Sequence, residues 1–183
     1  MQKSSNVVAS KPKAAGCVWV APLGTPLPTD GTTALDAAFE SLGYIGEDGV
    51  SEEIESEKTD IAAFGGDTVL TVRTSHSVSY VFKPMEHKSI TVLKAIYGDD
   101  NVTETDGNVV VKVNSKEQAV KVYVFEFALS DNTVERVVVP EGKADASGTT
   151  SYANGSEVSS ELTVDAFPDT DGNKAYKYLT VVE

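Results

Sequence analysis

The chain has few of the residues that usually carry chemistry. It contains one cysteine (Cys17), two histidines (His76 and His87) and one tryptophan (Trp19). A single cysteine excludes a disulfide within the chain and suits a reducing compartment. Neither histidine has a cysteine or a second histidine at metal-ligand spacing. Both are expected to be solvated or hydrogen-bonded structural residues. Cys17 lies beside Val18 and Trp19 and reads as a buried, inert thiol rather than a nucleophile. There is no Gly-x-Ser-x-Gly elbow and no phosphate-binding loop, and Gly65-Gly66 reads as a turn. No catalytic residue, cofactor or metal is expected.

Positive charge is also scarce, with 15 Lys and Arg against 28 Asp and Glu, a formal net charge of -13. Such a chain repels nucleic-acid phosphates and anionic membrane surfaces. No apolar run approaches the roughly 20 residues of a membrane helix. The first residues, MQKSSNVVASKPKAAG, carry Lys3, Lys11 and Lys13 but no apolar core of signal-peptide length. The expectation is synthesis in an intracellular aqueous space. Two acidic clusters, Asp99-Asp100-Asn101 and Asp169 to Asn173, offer oxygen ligands for calcium. The EF-hand pattern needs glycine at its sixth position and glutamate at its twelfth, where a loop counted from Asp169 has Lys174 and Thr180. Both clusters read as turns. Paired carboxylates for glycoside hydrolysis stay open in so acidic a chain, but a carbohydrate platform would show several exposed aromatics.

What is present is a β composition. Val, Thr, Tyr and Phe recur throughout the 183 residues, and hydrophobic residues make up 40%. Residues 1–16, polar and basic without an acid, read as a flexible N-terminal arm, and 17–183 as one domain. A strand is expected at Gly16–Ala21, then a Pro-rich loop at Pro22–Gly31. Thr33-Ala34-Leu35-Asp36 resembles a capping box, and Leu35, Ala38, Phe39 and Leu42 share one helical face, so a short helix ending at Gly43 is expected. Glu47 to Asp60 holds seven acids and one cation, Lys58. It reads as part of a long solvated two-stranded excursion spanning about 43–68, with Phe64 tucked under a neighbouring element. Val69–Arg73 and Val78–Phe82 read as a separate hairpin ended by Pro84. A second helix is expected at Ser89–Tyr97, with Ile90, Leu93 and Tyr97 on one face and Gly98 as its cap. Asp106-Gly107 marks a hairpin turn. Ala119–Leu129 is expected as the longest strand, buried on both faces, followed by a turn at Asp131-Asn132 and a strand at Val134–Val139. Glu141–Gly155 reads as a loop. Strands at Glu157–Phe167 and Tyr176–Val182 close the chain. The architecture expected is an antiparallel β-sandwich or open barrel of roughly eight strands with one packed helix.

The stretches LGYIGEDGVSEEI (Leu42–Ile54), DIAAFGGD (Asp60–Asp67) and AFPDTDGN (Ala166–Asn173) resemble the major tail (tail tube) proteins of long non-contractile-tailed bacteriophages. In those proteins a similar Leu-Gly-Tyr segment enters a long charged hairpin, and an aromatic-Gly-Gly-Asp follows. The resemblance runs from about Gly16 to Val182. It implies a structural virion protein whose rings, usually hexamers, stack into a hollow tail tube. The genome and a tape-measure protein pass through that tube without specific binding. Tail-tip initiator and tail-terminator proteins are the other implied partners, with no membrane. The resemblance implies inter-ring contacts through the arm and the long loop, with Lys11, Lys13, Tyr44, Ile45, Val50, Ile54, Ile61 and Phe64 as candidates. Glu52, Glu53, Glu55 and Glu57 are candidate lumen or loop acids, placed to repel DNA. The competing reading is a β-sandwich adhesin or carbohydrate-binding module of a virion.

Overall fold

A computed structural model describes residues 7–13, 16–130, 132–146, 150, 152–155 and 157–182. Among these residues eleven strands and one α-helix follow one another: β1 (Ser10–Pro12), β2 (Val18–Pro22), β3 (Glu40–Ser41), β4 (Ile45–Ala62), β5 (Thr68–Pro84), α1 (Ile90–Tyr97), β6 (Val102–Thr105), β7 (Asn108–Val111), β8 (Lys121–Leu129), β9 (Thr133–Asp145), β10 (Leu162–Phe167) and β11 (Tyr176–Val181). Nine strands form one antiparallel sheet with the path β3-β2-β8-β9-β10-β5-β4. β1 adds to β8, and β11 adds to β9. The path is open, and β6 and β7 form a separate hairpin. The expected mainly β, antiparallel, sandwich-like architecture is the one observed.

The sheet folds over because the edge of β9 opposite β8 serves two neighbours. Its first half, Thr133–Val138, pairs with β11, and its last part, Glu141–Asp145, pairs with β10. Gly142 sits in that second part, where β9 also meets Lys121 of β8 beside a register shift. The fold brings β5 over β8. Tyr80 stacks on Phe125 with ring centroids 4.8 Å apart, and Phe82 meets the same ring edge-on at 5.8 Å. Tyr123, Phe125, Val137, Val139, Leu162 and Val164 complete this core with Val92, Ala95 and Ile96 of α1. Alternate residues of β8, Val122 and Val124, face the other way, into a second core with Phe39 and Val138. β8 is therefore buried on both faces, as its two apolar parities require.

Several expected elements take a different form. No helix forms at 33–42. The Asp30 carboxylate accepts bonds from the backbone amides of Thr32 and Thr33 and from the Thr33 hydroxyl, and Asp36 accepts from the amide of Ala38. With the Phe39 amide bonded to the Asp36 carbonyl, these local turns offer the backbone an alternative to the helix, and a segment this short has little cooperativity to oppose them. Phe39 and Leu42 are buried nonetheless. Val69–Arg73 and Val78–Phe82 do not form their own hairpin. They belong to the one strand β5, whose partner is the acidic β4. β8 is shorter than β4, β5 and β9, and β9 continues to Asp145 inside the segment expected as a loop.

The second helix forms as expected. Ser89 stands at its N-cap position and Gly98 ends it with φ 92°. Its buried residues are Val92, Leu93, Ala95 and Ile96, a face turned from the one Ile90 and Tyr97 would define. Asp106 and Gly107 both take positive φ, the two-residue hairpin turn their sequence favours. Of the expected arm, Ser10–Pro12 pairs with Phe127–Leu129 of β8, while residues 1–6 and 14–15 lie outside the described residues. So does Asp131 of the expected Asp131-Asn132 turn.

Candidate functional site

The feature that sets this chain apart is the ribbon of β4 and β5. β10 pairs with β5 from Phe82 only as far as Ser79. Beyond that point, among the described residues, the two strands pair only with each other, out to Ala62 and Thr68. Residues 51–77 are all exposed. A two-stranded ribbon of this length has no core of its own. The tip is closed by bonds from the Ala63 amide to the Asp67 carbonyl and from the Gly66 amide to the Ala63 carbonyl. Gly66 supplies the φ of 91° the turn needs. Phe64 is not tucked away as expected. It stands fully in solvent at 112% exposure.

The register assigns the side chains to two faces. On one face Glu53, Glu55 and Glu57 lie opposite Ser79, Ser77 and Ser75, and farther out Thr59 and Ile61 lie opposite Val72 and Leu70. A row of three carboxylates facing hydroxyls thus runs into an exposed apolar patch. On the other face Glu52, Ile54, Ser56, Lys58 and Asp60 lie opposite Tyr80, Val78, His76, Arg73 and Thr71. The Thr71 hydroxyl donates to Asp60 Oδ1 at 2.6 Å across this face. A bulge decides which residues of β5 share each face. Glu57 pairs with Ser75 but Lys58 pairs with Arg73, so Thr74 is the extra residue and the alternation of β5 shifts there. Leu70 and Val72 share the even parity of Val78, Tyr80 and Phe82 in sequence, yet they face the opposite way. That shift hid them from the sequence reading, along with the serine row.

The expected site residues divide into groups. Ile54, Ile61 and Phe64 are exposed on the ribbon, and Tyr44 is exposed at its base. Ile45 and Val50 instead pack, half-buried, against the main core. Lys11 is exposed on β1. Lys13 turns inward, its Nζ 3.2 Å from Glu126 Oε1. Among the acids, Glu53, Glu55 and Glu57 form the row, while Glu52 is engaged on the other face. Its Oε1 accepts from the Tyr80 hydroxyl at 2.7 Å and its Oε2 from Lys177 Nζ at 2.5 Å. Burial pushes the Glu52 carboxyl up, but the bonds from Lys177 and Tyr80 outweigh it and hold the group below its ordinary range. Burial and the neighbouring Glu52 raise the Tyr80 hydroxyl, so it remains a donor.

The Asp169 turn also has an internal use. Asp169 Oδ1 accepts the amides of Asp171 and Asn173, and its Oδ2 accepts the Tyr176 hydroxyl at 2.6 Å. Among the described residues no group of three or more His, Cys, Asp or Glu is placed to hold a metal ion, and no helix is long and apolar enough to cross a membrane.

The ribbon thus projects from the sheet with an acidic row along one face and an exposed apolar end. No curated protein matches this chain. The family model described as phage tail tube protein matches residues 1–181, nearly the whole chain, and the chain therefore belongs to the phage tail tube protein family.

Proposed function

We propose that this tail tube protein closes into six-membered rings, that the rings stack, and that the hollow stack conducts the genome from capsid to host. The observation that carries the reading is the β4–β5 ribbon, exposed on both faces from Ser51 to Ser77. Apolar groups such as Ile61, Leu70 and Phe64 at its end are a liability on a solitary chain and an asset when another copy covers them. The ribbon is the inter-ring contact in this reading, and the arm with Lys11 contributes beside it. Ile45 and Val50 anchor the base of the ribbon to the core.

The acidic balance of -13 has a role in the same reading. Carboxylates lining the lumen repel phosphate and let duplex DNA and a tape-measure protein slide. Tail-tip and terminator proteins start and end the stack. The chain is made in the host cytoplasm and its role is structural, not catalytic. Negative-stain microscopy of purified protein, with and without tail-tip complex, tests the reading. Rings or filaments that grow with concentration are expected, and a monomer under every condition would overturn it.

A further inference from the structure

The ribbon leaves the body at Ser79, its last pairing with β10. A free two-stranded ribbon bends and twists readily about such a point. Two side chains from the other end of the chain reach it on either side of that point, one at Glu52, opposite the still-paired Tyr80, and one beyond it at His76. Lys177, on β11, donates to Glu52 Oε2 at 2.5 Å. Lys174, just before β11, donates to the backbone carbonyl of His76. Among the described residues β11 pairs only with β9, so these bonds are outside the ladder. Between the two parts lies an open cleft of about 210 Å³ lined by Ser10, Glu52, Tyr80, Glu135, Val137 and Lys177.

We infer that Lys174 and Lys177 are positioning residues that hold the β4–β5 ribbon at one angle to the body. They grip it from opposite strands, Lys177 on β4 through Glu52 and Lys174 on β5 through His76. Gripping both strands resists rotation about the ribbon axis as well as bending. The grip is itself built in. Asp169 organises the turn before β11, the Tyr176 hydroxyl donates to Asp169, and Asn173 Nδ2 donates to that hydroxyl at 3.0 Å. That turn delivers Lys174 to the ribbon. Tyr80 holds the second arm of the Glu52 carboxylate, so Lys177 meets a fixed acceptor. Exposed ion pairs add little to global stability, so the function of this pair is direction. A ribbon held at one angle presents its apolar end to a neighbouring copy without the entropy cost of finding it.

The inference rests on the ribbon's role in stacking, but its test does not. Spin labels are placed on the full chain at Asp67→Cys in the tip and Thr103→Cys on the body, both exposed positions. Cys17 remains unlabelled, since it is buried and its thiol is pushed up to about 11 by that burial and by Glu126. Pulsed electron–electron resonance on the monomer should give one narrow distance distribution. Lys174→Met with Lys177→Met should lose it while the thermal midpoint stays unchanged. Lys177→Glu alone should lose it too, and adding Glu52→Lys should restore it. Lys174→Arg should keep it, since the acceptor is a carbonyl. An unchanged distribution in the double methionine variant, or no rescue by the charge swap, overturns the inference. Filament formation by the same variants is scored separately. Narrow-to-broad change without filaments in any variant sinks the stacking role and leaves the brace standing.

Discussion

Arg136 Nη2 stands 2.5 Å from Glu126 Oε1, with the two side chains 1% and 3% exposed. They face each other across β8 and β9. Arg136 Nε donates to the same oxygen, and Nη1 donates to the carbonyl of Asp30. Lys13 adds a further cation at Glu126. One buried pair thus ties the central strands to the proline-rich loop and to the N-terminal arm.

Breaking this pair from one side should be costly. Arg136→Met leaves the Glu126 carboxylate buried with only Lys13, a loss of about 3–5 kcal/mol in folding free energy. Removing both charges with Glu126→Leu and Arg136→Met should cost less than Arg136→Met alone, since no buried charge remains. Urea unfolding of the two variants checks this, and a double variant less stable than the single would contradict it.

Gly142 is needed for want of space. A Cβ there would lie 2.6 Å from Tyr123 Cδ2 and 2.9 Å from Val164 Cγ1. Replacing glycine by alanine in a strand ordinarily gains about 0.5–1 kcal/mol. Overpacking a tight core costs about 1–3 kcal/mol. The second effect should win, so Gly142→Ala should lower the thermal midpoint, with near-ultraviolet dichroism reporting a disturbed Tyr123.

The strands of the core were legible because their residues alternate in a way that burial enforces. Tyr123 and Phe125 against Val122 and Val124 announce a strand covered on both faces. The Asp106-Gly107 turn and the Ser89–Gly98 helix carry their own local signals, and each forms. Segment 33–42 misleads because its helical pattern competes with local turns in which the Asp30 and Asp36 carboxylates bond amides two or three residues on. For β5 the difficulty is longer in range. Which residues of the ribbon share a face depends on a bulge at Thr74, and a bulge is visible only once the partner strand is known. Pairing Glu52 with Lys177 spans most of the chain, and neither residue type advertises it.

Acid should loosen the ribbon through Glu52. Its folded carboxyl lies below the ordinary glutamate range, chiefly because the bonds from Lys177 and Tyr80 outweigh burial. A depressed carboxyl contributes stability above the unfolded value, and that contribution is lost as pH falls through the folded value. Hydrogen exchange at the Val78 and Tyr80 amides should therefore accelerate, beyond the intrinsic pH trend, as pH falls from neutral into the range below the ordinary carboxylate value. Glu135 lines the same cleft, so Glu52→Gln is the control. It should already show faster exchange at neutral pH and little further pH dependence. A pH response as large in Glu52→Gln as in the parent would assign the effect to another acid.

Phe64 separates folding from assembly. Its side chain is fully exposed and touches no core, so Phe64→Ser should change folding stability by no more than about 0.5 kcal/mol. The same change removes the largest apolar group from the ribbon's end, beside the Ile61, Leu70 and Val72 patch. Contacts that bury one large aromatic in a partner carry a disproportionate share of binding energy. Phe64→Ser should leave the monomer's melting curve and dichroism as they are and stop filament growth in sedimentation and microscopy. Phe64→Leu, which keeps most of the apolar surface, should restore part of that growth. Filaments forming equally well with serine at this position would show that the tip is not buried between copies, and would move the stacking contact inward to the glutamate row or the base of the ribbon.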